Sequence, residues 1–292
     1  MRRFLEELFK REPSSPRIGL ALSGGGARGL AHIGVLKVLE REGIPIHLLA
    51  GTSMGGLVAA AYAAGLSPHD LEKEALRMSN PRWLITLLDR GLPRRGLLAG
   101  QKVIGYLAEH LGEITFDQLR VPLALVAVDL NKGEKVILRE GSVLEAVRAT
   151  IALPGLFAPV ERGEQMLVDG GLLDNLPADV VREMGADVVI AVDISTDEKV
   201  VALFTRELHG RRFVPESLVD MVDVLWRSVA VMMKEVNRRN LELASPDLLI
   251  HPDIPQGVTA LTGLTRAAEV IAAGERAAQE ALPRLRELAG GG

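Results

Sequence analysis

The chain has 292 residues, 48% hydrophobic and 25% charged, which supplies a packed core and excludes a disordered polymer. Its formal net charge of −4 argues against a nucleic-acid partner. It has no cysteine, so disulfides, thiolate metal sites and cysteine nucleophiles are excluded, and a reducing, cytoplasmic compartment fits.

Residues 1–16 read as an N-terminal extension, a short helix with Phe4, Leu5, Leu8 and Phe9 at helical spacing, then a Ser-Pro linker. This stretch lacks the apolar region and cleavage site of a secretory signal. A surface helix is the plain reading, and a peripheral membrane contact is the other. No apolar run reaches the ~18 residues that cross a bilayer. Residues 17–292 read as one domain with a helical C-terminal portion.

In chain order, Arg17–Leu22 reads as a strand, Gly29–Glu42 as a helix, Ile46–Ala50 as a strand, and Met54–Ala64 and Pro68–Met78 as helices. Pro81 to Gly100, rich in Arg, Pro, Gly and Leu, reads as an irregular crossing or flap, followed by a helix at Gln101–Leu111. Strands follow at Leu123–Asp129 and Lys135–Leu138. Asn131-Lys132-Gly133 between them is a hairpin turn that would make one sheet edge antiparallel. A helix at Val143–Thr150, a strand at Gln165–Val168, a helix at Pro177–Met184 and a strand at Val188–Asp193 come next. Pro215–Leu243 and Arg266–Leu288 read as long helices flanking a strand at Leu248–His251. Strands separated by helices imply an α/β fold: three layers, α/β/α, around a mainly parallel central sheet.

Two glycine turns carry chemistry. The first, Gly24-Gly25-Gly26-Ala27-Arg28-Gly29, satisfies G-x-G-x-x-G between a strand and a helix. A dinucleotide site would also need a carboxylate ending the second strand, and none stands there. A P-loop would need Lys-Ser or Lys-Thr after the glycines, and neither follows. The second strand runs instead into Gly51-Thr52-Ser53-Met54-Gly55, a G-x-S-x-G before an apolar helix. This is the nucleophile-elbow pattern. Ser53 occupies a sharp turn, and Gly51 and Gly55 relieve crowding between strand and helix. The alternative is a glycine turn with Ser53 as a helix cap. With a nucleophile at Ser53, the first loop becomes an oxyanion nest, its backbone N–H groups at Gly24, Gly25 and Gly26 unobstructed by side chains. Arg28 would brace that loop or meet a substrate phosphate; otherwise it is a helix-surface cation.

A serine nucleophile needs a base. Of six histidines, only His209 and His251 come late enough for a Ser–acid–His order, and each reads better as structural. His32 falls inside an apolar helix. Asp169, in Val168-Asp169-Gly170-Gly171, ends a strand before two glycines that permit a sharp reversal. Taken alone it is equally an ordinary turn aspartate. Its usual pKa of about 3.9 makes a weak base unless burial raises it.

The three motifs in this order resemble the patatin-like phospholipase family in its bacterial form, itself similar to the catalytic domain of cytosolic phospholipase A2. The likeness runs from about Arg17 to Ser195. It takes in Arg148–Phe157, where the family often has serine at position 150 and this chain has Thr150, and Asp174-Asn175-Leu176-Pro177. The resemblance implies a Ser53–Asp169 dyad, a Gly24–Gly26 oxyanion hole with Arg28 as its basic residue, supporting Gly170 and Gly171, and hydrolysis of acyl esters of phospholipids or lysophospholipids. It implies no cofactor, no metal and no catalytic histidine. A soluble carboxylesterase or thioesterase with the same dyad, and a regulatory module with an incidental serine, are the competing readings. Leu57, Leu153, Leu156 and Phe157 are candidate walls of an apolar channel, with Leu84–Leu98 as a cover. Met221, Val222, Leu225, Val229, Met232 and Met233 form an apolar stripe on the Pro215–Leu243 helix. The stripe reads as core or as the seam of a homo-oligomer, with a lipid-entry surface as the minor alternative.

Overall fold

Five segments are short, almost wholly apolar runs: β1 (Ile18–Leu22), β2 (Leu48–Thr52), β3 (Leu123–Asp129), β7 (Val188–Val192) and β8 (Leu248–Ile250). Such strands are satisfied in a parallel sheet with helices over both faces. In the structure, a computed structural model describing residues 15–80, 105, 108–109, 112–195, 216–258 and 262–290, they lie side by side and parallel in the order β3-β2-β1-β7-β8. The expected helix near Phe4–Phe9, the Pro81–Gly100 segment with its Leu84–Leu98 cover, most of the Gln101–Leu111 helix, and His209 lie outside the described residues.

The antiparallel part is larger than the single edge expected from the hairpin. β4 (Glu134–Leu138) pairs back on β3 through the Asn131–Gly133 turn, and β6 (Gln165–Asp169) also runs antiparallel to β3. β5 (Val160–Arg162) extends β6. β5 escaped the sequence reading because it has three residues, two of them the exposed Glu161 and Arg162.

Strand alternation builds the two interfaces. Leu20, Leu22, Leu49, Leu125 and Ile190 point to one face, where α1 (Ala31–Arg41), α2 (Ser53–Ala63), α3 (Pro68–Met78), α4 (Val143–Thr150) and α7 (Ala267–Glu280) cover them. Ala21, Ala50, Ala124 and Ala191 point to the other face, beneath α5 (Ala178–Glu183) and the C-terminal end of α6 (Glu216–Ala244). Small residues let α5 lie close to the sheet: a Cβ on Gly19 would sit 1.9 Å from Val181 Cγ1.

Two helices depart from expectation. The helix after β1 opens with a 3-10 turn at Gly26–Leu30 before α1 begins. The expected Arg266–Leu288 helix is divided into a 3-10 turn at Thr262–Arg266, α7, and α8 (Leu282–Leu288). Pro283 falls in the first turn of α8, where its missing N–H costs no helical bond. Within the α6 stripe Met221, Leu225 and Met232 are not core, being 62%, 62% and 59% exposed, whereas Met233 is half-buried. The helix meets the body through the opposite side of its C-terminal half, at Leu241 and Ala244. No helix among the described residues is long and apolar enough to cross a membrane.

The register of β3 sets the position of the site. β4 takes one edge of β3 from Leu125 to Asp129. On the other edge β2 pairs as far as Thr52↔Val126, and β6 takes over at Asp169↔Ala127. The end of β2 and the end of β6 therefore meet at consecutive residues of one strand, about 3.3 Å apart along it.

Candidate active site

Ser53 is the residue at which β2 becomes α2. Its φ is +54°, in the left-handed region; Ser245 is the one other non-glycine there among the described residues. Such a conformation costs on the order of 1–3 kcal/mol and persists where the surroundings enforce it. Here the Thr150 hydroxyl enforces it, accepting the Ser53 N–H at 2.9 Å and donating to the Val126 carbonyl at 2.6 Å. The glycines of the motif are sterically required. A Cβ at Gly55 would stand 2.4 Å from the Leu22 carbonyl oxygen, and one at Gly51 would stand 2.6 Å from Gly56 Cα. Ser53 is not a helix cap. The N-cap of α2 is Thr52, whose side chain makes no capping hydrogen bond; its hydroxyl donates instead to the Asp174 carbonyl at 2.9 Å.

Asp169 closes β6 and is almost completely buried. Its Oδ1 accepts the Gly171 N–H at 2.8 Å, and Ser53 is the side chain that acts on its carboxyl group. Burial pushes its pKa up to about 6, against the opposing pull of the Ser53 hydroxyl and the Gly171 N–H. Gly170 lets the turn close, because a Cβ there would lie 2.5 Å from the Val126 carbonyl oxygen.

No hydrogen bond joins a described histidine to either residue. His32, its pKa lowered by burial to about 4, sets Nε2 on the Ser23 carbonyl at 2.8 Å. His47 Nδ1 accepts the Ile18 N–H, and the largely exposed His251 faces Asp193 at 3.9 Å.

The glycine loop lies directly against Ser53: a Cβ on Gly24 would be 3.0 Å from Ser53 Cβ and 2.5 Å from Asn175 Oδ1. The Gly24 N–H is already used, donating to the Asn175 carbonyl at 3.0 Å. The N–H groups of Gly25 and Gly26, at the start of the 3-10 turn, have no acceptor among the described residues. The oxyanion nest expected of three glycines thus has two open donors. Arg28 is buried, with Nε on the Ile194 carbonyl at 3.0 Å and Nη1 on the Val258 carbonyl at 3.3 Å. It ties the loop to two carbonyls beyond it, and its burial corrects the surface-cation reading.

Of the candidate wall residues, Leu57 sits on α2 one turn beyond Ser53. Leu153, Leu156 and Phe157 follow Ala152, whose carbonyl accepts the Asp169 N–H at 3.0 Å. All four are half-buried. Arg148 stands 5.6 Å from the centre of the Phe157 ring and donates to the Ala158 carbonyl at 2.6 Å.

The sequence reading included Asp174-Asn175-Leu176-Pro177 in the likeness but gave these residues no role. Buried Asp174 holds Lys135 Nζ at 2.9 Å, and Lys135 reaches Asp179 at 2.6 Å. Burial, with the Asp179 charge, pushes Asp174 up to about 6. Asn175 has the closer tie to the loop: its Nδ2 donates to the Gly24 carbonyl at 3.2 Å and its carbonyl accepts the Gly24 N–H, so it grips both backbone groups of Gly24. Among the described residues, no group of three or more His, Asp or Glu side chains is placed to hold a metal ion.

The family model for patatin-like phospholipases matches residues 20–182, a span that contains Ser53, Asp169 and the glycine loop. The chain belongs to the patatin-like phospholipase family. An uncharacterized NTE family protein of Mycobacterium tuberculosis is 39% identical over 188 residues, 64% of this chain and 52% of its own length. A second from the same organism is 34% identical over 285 residues, 92% of this chain and 47% of its own. The patatin-like phospholipase domain-containing protein 6 of Mus musculus is 34% identical over 198 residues, 66% of this chain and 15% of its own. This patatin-like chain therefore spans about half the length of the mycobacterial relatives. The crystal structure of VipD from Legionella pneumophila shares the fold, with a TM-score of 0.50 at 14% identity, covering 93% of this chain and 67% of that one.

Proposed function

We propose that this patatin-like chain is a serine acyl hydrolase in which Ser53 is the nucleophile and Asp169 the base, and that its substrates are acyl esters of phospholipids or lysophospholipids. One observation carries the reading: a serine held at φ +54° and a buried carboxylate end adjoining strands at consecutive positions of β3, beside a loop with two open N–H donors.

In the proposed cycle the Asp169 carboxylate accepts the Ser53 proton as Oγ bonds to the acyl carbonyl carbon. The carbonyl π pair moves to oxygen, and the resulting oxyanion rests on the N–H groups of Gly25 and Gly26, each such donor contributing about 3 kcal/mol to lowering the barrier. The N-terminus of α2 adds a favourable dipole. As the tetrahedral species collapses, the C–O bond to the leaving alcohol breaks. That oxygen takes the proton from Asp169, leaving acyl-Ser53. Water then gives a proton to Asp169 and bonds to the acyl carbon. The second collapse breaks the bond to Oγ, which recovers a proton, and the fatty acid departs. Family membership and the half-buried apolar set Leu57, Leu153, Leu156 and Phe157 support a lipid acyl chain as the group transferred.

The test is hydrolysis of a p-nitrophenyl acyl ester by folded variants. Asp169→Asn is expected to lower kcat by about 10²–10⁴-fold, and Ser53→Ala to remove activity. Wild-type turnover by Asp169→Asn contradicts the dyad. A panel of phospholipids, lysophospholipids and short soluble esters then checks the substrate class. Preference for the short esters would favour a carboxylesterase.

A further inference from the structure

The segment Leu173–Asn175 has no regular structure, yet all six of its backbone polar groups are satisfied. The N–H groups of Leu173 and Asp174 both donate to the Gly170 carbonyl, in the turn that carries Asp169. The Asp174 carbonyl accepts from Thr52, the residue before Ser53, and the Asn175 carbonyl accepts from Gly24 in the glycine loop. The last two partners come from α6. The Leu173 carbonyl accepts Asn240 Nδ2 at 2.7 Å, and the Asn175 N–H donates to Asn237 Oδ1 at 2.8 Å. Three residues thus join the Asp169 turn, the serine elbow, the glycine loop and a helix about sixty residues further along the chain. Met233, one turn before Asn237, comes to the same place: a Cβ on Gly171 would lie 3.6 Å from its methyl group.

We infer that Asn237 is a positioning residue for the glycine loop, acting through Asn175; this rests on the Ser53–Asp169 reading. The main chain of Asn175 is held from outside by Asn237 and inside by Gly24. Asn175 Nδ2 adds a second bond, to the Gly24 carbonyl. Removing the Asn237 acceptor leaves a part-buried N–H unpaired, so Asn175 turns toward another partner and carries Gly24 with it. Gly25 and Gly26 then lose their aim at the oxygen that gains charge, and displacements of about 1 Å at such a site cost on the order of 10²-fold in rate. Binding of the acyl chain, which involves other residues, is left alone. Asn237 and Asn240 lie beyond the span matched by the family model, so membership of the family assigns them nothing.

The test compares the full chain with Asn237→Leu, which has no acceptor, and Asn237→Asp, which keeps one. The readouts are kcat and KM on a p-nitrophenyl acyl ester, the thermal midpoint, and the labelling of Ser53 by a fluorophosphonate. Asn237→Leu is expected to lose about 10- to 100-fold in kcat, with KM within about twofold and wild-type secondary structure. Asn237→Asp is expected to recover most of that loss. Should Asn237→Leu fail to fold, Asn237→Ser, whose hydroxyl is too short to reach, carries the same expectation. Wild-type kcat in the variant without an acceptor overturns the inference, as does an equal loss in Asn237→Asp. A wild-type protein that neither hydrolyses the ester nor labels at Ser53 refutes the proposed function instead, so the two failures are distinct.

Discussion

The buried Asp169 carboxyl, its pKa pushed up to about 6 by burial, suits the proposed base and weakens the fold when ionised. As a base, Asp169 must be ionised. The rate on a soluble ester is therefore expected to fall about tenfold per pH unit below about 6 and to level off above it. The stability sign is opposite. The folded state binds the Asp169 proton more tightly than the unfolded chain, whose pKa is near 3.9, so stability is lost as pH rises from about 4 through about 6. Asp169→Asn should then be inactive yet more stable than wild type at pH 8, by on the order of 3 kcal/mol at most, the gain fading toward pH 4. Urea unfolding at the two pH values measures this; a variant no more stable at pH 8 would show that the carboxylate ionises without strain. Thr150 is the second residue with a sharp expectation. Thr150→Val orphans the Ser53 N–H and should cost about 1–3 kcal/mol of stability along with much of the turnover. Thr150→Ser keeps the hydroxyl and should keep turnover near wild type. Ser53 was legible in the sequence because glycine spacing records backbone crowding. Asp169 needed the family resemblance, since a strand-end Asp-Gly is common and only its burial beside Ser53 separates it from other turns.

At the scale of elements, the handover of one β3 edge from β2 to β6 brings two residues 116 positions apart to neighbouring positions at one edge of β3. The sequence announced β2, β3 and β6 by their apolar runs but not the handover, which depends on which edge each strand takes. The same limit hid α6 from the site. Met233, Asn237, Asn240 and Ala244 recur at helical spacing and mark the inward side, yet asparagines on a helix read as solvated. The more conspicuous stripe, Met221, Leu225 and Met232, faces out. Close helix packing gives an independent check of the architecture. α1 and α7 touch backbone to backbone at two glycines, where a Cβ on Gly34 would lie 2.0 Å from the Ile271 carbonyl oxygen and one on Gly274 would lie 1.9 Å from that of Ala31. Either glycine changed to alanine must push the helices apart and is expected to lower stability by at least about 2 kcal/mol in urea unfolding. Neutral substitutions at both positions would mean that α7 does not dock there.

For the whole molecule, strands from residue 18 to residue 250 share one sheet, and α7 near the C-terminus packs on α1 near the N-terminus. A chain tied together in this way is expected to unfold in one cooperative transition, with equal calorimetric and van't Hoff enthalpies; two separated transitions would divide it into domains. The α/β layering was readable from the alternation of apolar runs and helical patterns. What composition could not convey is that the most open donors, the buried carboxylate and the strained serine gather at one end of that sheet. The most direct measurement of that convergence is reaction with a fluorophosphonate followed by peptide mass spectrometry. A stable adduct on Ser53, formed rapidly by the wild-type chain and much more slowly by Asp169→Asn, is the predicted result. An adduct at another serine, or labelling of Ser53 that is indifferent to Asp169, would contradict it.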